Sequence, residues 1–147
     1  MTAALQGIRV LVVEDEFLVA SLIEDMLTSA GCVVSGPIPR LAEALDAVHR
    51  GTFDAAVLDV NLAGDRIDPV ADLLSRRNVP FVFVTGYDAE NIDPRYAHVP
   101  VLQKPIEREV LQGLFVSSVN DAGKPAWHVS VGGLAAQNLA VASAPER

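Results

Sequence analysis

Five polar side chains stand at the ends of short apolar runs in this sequence: Glu14, Asp15, Asp59, Thr85 and Lys104. Together they offer three carboxylates, one hydroxyl and one ammonium group. Three carboxylates held close together repel one another and raise one another's pKa unless a cation neutralises them. If the fold gathers these side chains in one place, we therefore expect a site for a hard divalent cation.

The carboxylates have the ligand chemistry of Mg²⁺, which binds oxygen atoms in octahedral geometry and retains several waters. We predict Glu14 and Asp15 as acidic ligands and Asp59 as a third. The main-chain carbonyl of Asn61 is a further predicted ligand. The predicted cofactor is therefore Mg²⁺.

Asp59 has a second candidate role, because a carboxylate can attack a phosphoryl group and form an aspartyl-phosphate. Such a transfer needs positive charge and hydrogen-bond donors around the phosphoryl oxygens. Lys104 would supply a point charge, and the Thr85 hydroxyl would donate one hydrogen bond. We predict these three residues as the ones that carry the chemistry.

Each of these residue types also has an ordinary structural role. Acids after a strand are often solvated turn residues or favourable charges at a helix N-terminus. A single aspartate at a strand end is more often a cap than a nucleophile, and a single lysine is usually a solvated charge. The functional interpretation depends on all five side chains lying together at one edge of the fold.

The surrounding pattern predicts the elements that would position them. Short apolar runs predict strands at residues 8–13, 32–35, 55–58, 80–84 and 99–103. Helical spacing predicts helices over residues 17–31, 41–51, 69–77 and 106–117, and Pro94 makes a fourth crossover within residues 88–98 short or irregular. Alternating strands and helices imply a parallel sheet covered on both faces, with ligands bound beyond the carboxyl ends of its strands.

Length and charge limit the remaining possibilities. The chain has 147 residues, of which half are apolar, so we predict one domain over residues 5–119 and a C-terminal tail over residues 120–147 that is flexible or forms a docking strand or helix. The net charge of -8 disfavours nucleic acid and anionic membranes as partners. A single cysteine, Cys32, and the lack of a signal-like or membrane-spanning stretch favour the cytoplasm.

Four stretches of the sequence, VLVVEDE, AVLDVNLAG, FVFVTGY and VLQKPI, resemble the response-regulator receiver family, and the resemblance extends over residues 7–119. It implies a flavodoxin-like fold with a five-stranded parallel sheet in the order 2-1-3-4-5. It also implies that Asp59 is phosphorylated, that Glu14 and Asp15 hold the metal, and that Thr85 is the switch hydroxyl. Lys104 matches the family's lysine, whose bond to the following proline is typically cis.

The stretch FVFVTGY is also similar to a subgroup of single-domain receivers with a Phe-Ala-Thr-Gly-Tyr signature, from which Val84 departs. A second departure concerns the readout. Many receivers carry an aromatic residue three positions before the lysine, where this chain has Val101. We therefore predict that an aromatic switch at that position is absent, and we hypothesise that Tyr87 controls access to the phosphoryl site.

The resemblance implies a signalling switch that accepts a phosphoryl group from a histidine kinase or a histidine phosphotransfer protein. The tail is too short for a DNA-binding domain, so the signal would pass to an unidentified protein by contact or by onward phosphotransfer, and a homodimer is an option. Such a protein catalyses only its own phosphorylation and dephosphorylation. Two alternatives are a phosphorylation-independent interaction module and a hydrolase of the haloacid dehalogenase type, although Asn61 replaces the second aspartate of that type.

Overall fold

The computed structural model describes residues 5–86 and 92–117. In chain order its elements are β1 (Arg9–Val13), α1 (Phe17–Ser29), β2 (Val33–Ile38), α2 (Leu41–Arg50), β3 (Ala55–Asp59), β4 (Asn61–Leu62), β5 (Asp65–Arg66), α3 (Asp68–Arg76), β6 (Phe81–Thr85), a 3-10 turn (Pro94–Tyr96), β7 (Val101–Gln103) and α4 (Arg108–Ser117). The alternation of strands and helices follows the predicted one.

Five of the strands form one parallel sheet in the order β2-β1-β3-β6-β7. Counting only the strands of this sheet, the order is 2-1-3-4-5, so the predicted doubly wound fold is confirmed. The central strand β3 and its neighbour β6 are buried along their whole length. This burial explains why their sequences are almost continuously apolar.

Successive side chains of the strands point to opposite faces of the sheet. Val10 and Val12 of β1 pack into a core with α1 and α4, whereas Leu11 and Val13 pack into a second core with α2 and α3. The helices therefore cover both faces. The carboxyl ends of all five strands are left at one edge of this three-layer structure, which is where the polar residues lie.

The strand β2 extends beyond Ser35, so the predicted end of this strand was wrong. The strand continues through Gly36 and Pro37, which are joined by a cis peptide bond, to Ile38. β2 is an edge strand, where proline is tolerated because its missing N–H would face solvent. Gly36 has a φ of +102°, and a Cβ there would lie 2.6 Å from the carbonyl oxygen of Val12, so only glycine suits this position.

A small antiparallel hairpin, β4–β5, directly follows β3 and was not predicted. Its turn residues Ala63 and Gly64 both have positive φ angles, of 53° and 96°. Two-residue hairpin turns of this kind match the twist of the strands. The side-chain oxygen of Asn61 accepts a hydrogen bond from the Gly64 amide at 2.9 Å and closes the turn.

The predicted irregular crossover before β7 contains the 3-10 turn, in which the Asp93 carboxylate accepts a hydrogen bond from the Arg95 amide at 2.9 Å. Tyr87, and the predicted tail at residues 120–147, lie outside the described residues. None of the described helices has the length and apolar character that a membrane span requires.

Candidate functional site

The five predicted side chains come together at the carboxyl edge of the sheet. β1 leads into Glu14 and Asp15, β3 ends at Asp59 and β6 ends at Thr85, while Lys104 follows β7 directly. Four of them, all except Glu14, line an open cleft of about 340 Å³, whose polar lining includes Asp15, Glu16, Asp59, Asn61, Thr85 and Lys104. The sheet order places the ends of β1, β3 and β6 side by side, so the gathering follows from the topology.

Three carboxylates at this edge of the sheet lie close to one another. One oxygen from each of Glu14, Asp15 and Asp59 lies within 4.8 Å of the others. Glu14 and Asp59 are buried, whereas Asp15 is half-buried. The Glu14 amide donates to the carbonyl oxygen of Ile38 at 3.0 Å, so the extension of β2 helps to fix this end of β1.

The environment of Asp59 opposes its ionisation. Burial, followed by the charge of Glu14 and a hydrogen bond with it, raises the pKa of Asp59 to about 8, although Lys104 acts in the opposite direction. A carboxyl group at a protein surface would be ionised well below neutral pH. The cleft therefore holds more negative charge than its own groups neutralise.

Lys104 is the cation of the cleft. Its Nζ lies 2.8 Å from Glu16 Oε1, 3.1 Å from Glu14 Oε2 and 3.5 Å from Asp59 Oδ2. Burial alone would lower the pKa of Lys104, but these carboxylates outweigh it and raise the pKa. The Lys104 amide donates to the carbonyl oxygen of Thr85 at 2.9 Å, and its bond to Pro105 is cis, as the resemblance implied.

Thr85 and Asn61 complete the cleft. Thr85 is buried at the end of β6, next to the strand that carries Asp59. The main-chain amide of Asn61 donates to Asp59 Oδ1 at 3.2 Å, and this hydrogen bond orients the carboxylate. Asn61 itself is exposed, and the use of its main-chain carbonyl as a metal ligand stays a prediction.

Glu16 was not predicted as a site residue, although it makes the shortest contact with Lys104. Its position in the acidic run was the only available signal. It precedes α1, where an acid is usually explained by the helix macrodipole. The structure shows no capping hydrogen bond from its side chain, so the ion pair with Lys104 is the better account of this residue.

The residues present fit a hard divalent cation such as Mg²⁺. Glu14 Oε1 is buried and has no hydrogen-bond partner within the described parts of the chain. An unpaired carboxylate oxygen of this kind is costly unless a cation or a donor reaches it. One oxygen of Glu14 lies within 4.8 Å of an oxygen of Asp15 and of Asp59, and all-oxygen ligand sets are those that Mg²⁺ prefers.

Comparison with known proteins agrees with this geometry. The family model of the response regulator receiver domain matches residues 10–115. The chain is similar to the solution structure of SdrG from Sphingomonas melonis Fr1, with 40% identity and a TM-score of 0.61, over 76% of this chain and 94% of that one. The chain belongs to the response regulator receiver family. This membership and the flavodoxin-like receiver fold were both predicted, and both are confirmed.

Two further solved structures are similar to this chain. The BeF3-activated conformation of SdrG from Pseudomonas melonis Fr1 is 42% identical, with a TM-score of 0.62, over 72% of this chain and 92% of that one. The receiver domain of the sensor histidine kinase PA1611 from Pseudomonas aeruginosa PAO1 is 25% identical, with a TM-score of 0.63, over 73% and 93%. That receiver has a magnesium ion coordinated in its active-site cleft. Curated protein sequences give no significant match to this chain.

Proposed function

We propose that this receiver is a cytoplasmic phosphorylation switch that accepts a phosphoryl group on Asp59, with Mg²⁺ held by Glu14, Asp15 and Asp59. The observation that supports it best is the position of Asp59 Oδ2, 3.5 Å from the Lys104 ammonium and in the same cleft as Thr85. A nucleophile, a cation and a hydroxyl donor are the protein groups that phosphoryl transfer needs.

In the proposed transfer, one oxygen of the Asp59 carboxylate attacks the phosphorus and forms a new O–P bond. The bond between phosphorus and the donor breaks, and its electron pair returns to the donor, which for a phosphohistidine is the imidazole nitrogen. In the reverse direction of the switch, water attacks the phosphorus and releases inorganic phosphate and a proton, which regenerates the carboxylate. The chemistry is confined to the protein's own Asp59, so we propose no turnover of a separate substrate.

The protein's own residues position the reacting groups. The Asn61 amide holds Asp59 Oδ1, the Lys104 ammonium pairs with a phosphoryl oxygen, and the Thr85 hydroxyl donates to another. Mg²⁺, when bound, supplies positive charge that offsets the charge of the phosphoryl oxygens. Thr85 would move toward the phosphoryl group, and that movement would shift the equilibrium between two conformations of the domain.

An exposed apolar patch beside the cleft supports a protein as the phosphoryl donor or target. Phe17, Leu18 and Leu22 of α1 are 79%, 74% and 54% exposed. Large exposed apolar side chains that cluster on one helix often mark contact surfaces. We propose a histidine kinase or a histidine phosphotransfer protein as the donor, and signal output by protein contact or onward phosphotransfer.

The proposal is tested by incubating the full chain with Mg²⁺ and acetyl phosphate and following its intact mass. We expect one phosphoryl group to be added to the wild type and none to Asp59→Asn. Asp46→Asn is the matched control, because Asp46 lies on α2, is exposed, and forms an ion pair with Arg50 away from the cleft. It should react like the wild type.

Three outcomes contradict the proposal. If the wild type gains no phosphoryl group at any Mg²⁺ concentration, the phosphorylation-independent interaction module is the better function. If Asp59→Asn gains the group as fast as the wild type, another residue is the acceptor. Repeated hydrolysis of phosphate esters with many turnovers would instead indicate a hydrolase.

A further inference from the structure

We propose that Glu16 is a positioning residue that holds the Lys104 ammonium at the rim of the cleft before phosphorylation and so slows phosphoryl transfer to Asp59. This inference rests on the proposed function and adds to it a device that sets the rate of the switch. In this arrangement Lys104 must leave Glu16 in order to pair with the incoming phosphoryl group.

The distances show where Lys104 is held most closely. Its Nζ lies 2.8 Å from Glu16 Oε1, which is typical of a strong charge-assisted hydrogen bond. The distance to Asp59 Oδ2, 3.5 Å, is at the limit for a hydrogen bond. The ammonium therefore lies closer to the residue at the rim than to the proposed nucleophile.

The burial of the partners shows which contact can be released. The side chains of Glu14 and Asp59 are buried, whereas that of Glu16 is 58% exposed. The Glu16 backbone is fixed, because its amide donates to Glu14 Oε2 at 3.1 Å. Its carboxylate has no capping role in α1, so it can release Lys104 without disturbing the helix.

The charges of the cleft give the direction of the effect. Among the described residues, carboxylates of Glu14, Glu16 and Asp59 lie 3.5 Å or less from the Lys104 ammonium group, and Asp15 adds a fourth carboxylate within 4.8 Å of Asp59. An incoming phosphoryl donor is also an anion, so each carboxylate at the rim opposes its entry. Glu16 both adds to this repulsion and engages the cation that would relieve it. Removing its charge should therefore make phosphorylation faster.

Two substitutions distinguish the effect of the ion pair with Lys104 from the effect of the Glu16 charge alone. Glu16→Gln keeps the shape of the side chain and removes its charge, whereas Glu16→Asp keeps the charge and shortens the reach toward Lys104 by one methylene group. Glu24→Gln is the matched control, because Glu24 is an exposed residue of α1 further along the helix. It removes the same charge from the same helix.

The rate of adduct formation in the full chain is measured against acetyl phosphate concentration at low ionic strength, with Mg²⁺ present. For a partly exposed ion pair we expect Glu16→Gln to raise the apparent second-order rate constant roughly twofold to fivefold. Glu16→Asp should give a smaller increase, and Glu24→Gln should leave the rate unchanged. The NMR signal of the Lys104 ammonium should shift in both Glu16 variants before any phosphate is added.

The inference fails if Glu16→Asp matches the wild type while Glu16→Gln is faster, because charge alone then accounts for the effect. It also fails if Glu24→Gln is as fast as Glu16→Gln, or if the Lys104 signal does not shift. Failure of the proposed function is distinct, because then the wild type itself forms no adduct. The NMR measurement needs no phosphorylation and still tests the ion pair in that case.

Discussion

Two groups of charged residues in this receiver differ in how completely they are neutralised. The first, the Lys104 cluster, consists of Lys104, Glu14, Asp15, Glu16 and Asp59. The second, the Tyr96 network, consists of Tyr96, Asp72, Asp93 and Arg95. In the Lys104 cluster one ammonium contacts three of the four carboxylates, and Glu14 Oε1 is buried with no hydrogen-bond partner among the described residues.

The charged groups of the Tyr96 network are paired with one another. Arg95 lies 3.0 Å from Asp72 and 3.3 Å from Asp93, and the Tyr96 hydroxyl donates to Asp72. The Arg95 guanidinium also stacks over the Tyr96 ring, 4.9 Å from its centroid. The Tyr96 ring itself packs edge-on against Phe81 and Phe83 at 5.6 and 5.9 Å.

The difference indicates what each group is for. A network whose charges are paired within the protein stabilises the fold, and here it attaches the segment before β7 to α3. A cluster that leaves charge unpaired in a buried position costs stability until a ligand arrives. The same residue types therefore serve structure in one place and binding in the other.

The largest expected effect comes from breaking the Tyr96 network. Tyr96→Ala removes a buried ring and should lower the free energy of unfolding by about 3–4 kcal/mol. Tyr96→Phe keeps the ring and loses only the hydrogen bond to Asp72, so it should cost about 1 kcal/mol. Urea denaturation measures both, and equal losses in the two variants would contradict the importance of ring packing.

The Lys104 cluster should respond in the opposite direction. Because the folded-state pKa of Asp59 is raised to about 8, the ionised carboxylate costs stability, and this cost grows as the pH rises from the ordinary pKa towards 8. In Mg²⁺-free buffer at pH 7, Asp59→Asn should therefore raise the free energy of unfolding by about 2 kcal/mol. Urea denaturation between pH 5 and pH 8 is the measurement.

Asp46→Asn is the control for this second prediction, because it removes an exposed aspartate that lies away from the cleft. Adding millimolar Mg²⁺ should stabilise the wild type more than Asp59→Asn, since the variant lacks one of the proposed ligands. If Asp59→Asn is less stable than the wild type without Mg²⁺, the cluster is not short of positive charge.

The comparison also shows what could be predicted from the sequence. The strands and the gathering of Asp59, Thr85 and Lys104 at one edge follow from local patterns, because apolar runs and the polar residues after them are visible along the chain. The strand order was implied by the resemblance to the receiver family. The Glu16 contact with Lys104 joins residues 88 positions apart and depends on side-chain conformations, which no local pattern encodes.

The other differences have similar causes. The β4–β5 hairpin needs a positive φ at Ala63, a residue type that gives no turn signal. The length of β2 depends on its position at the edge of the sheet, where Pro37 is tolerated. That edge position is evident only once the strands are assembled into the sheet. The Tyr96 network, likewise, joins α3 to the crossover segment across a distance in sequence that periodicity does not reveal.

Cys32 tests the effect of burial without a charged partner. Burial raises the pKa of its thiol to about 11, so the thiol contributes stability below its ordinary pKa of about 9, and this contribution is lost as the pH rises towards 11. Between pH 8 and pH 10 the wild type should lose about 1 kcal/mol relative to Cys32→Ala. Parallel stability curves for the two proteins in urea would contradict burial as the cause.

The smallest effect is expected for an ion pair that is more exposed than the Lys104 cluster and the Tyr96 network. Arg50 and Asp46 lie 3.0 Å apart on α2, with side chains that are 76% and 60% exposed. Exposed pairs at this helical spacing contribute only about 0.3–0.5 kcal/mol, so Asp46→Asn should change the free energy of unfolding by no more than that, and less in high salt. If Asp46→Asn costs as much stability as Tyr96→Phe, an exposed ion pair contributes as much as a hydrogen bond in the interior. Burial would then not explain how this ion pair differs from the Lys104 cluster and the Tyr96 network.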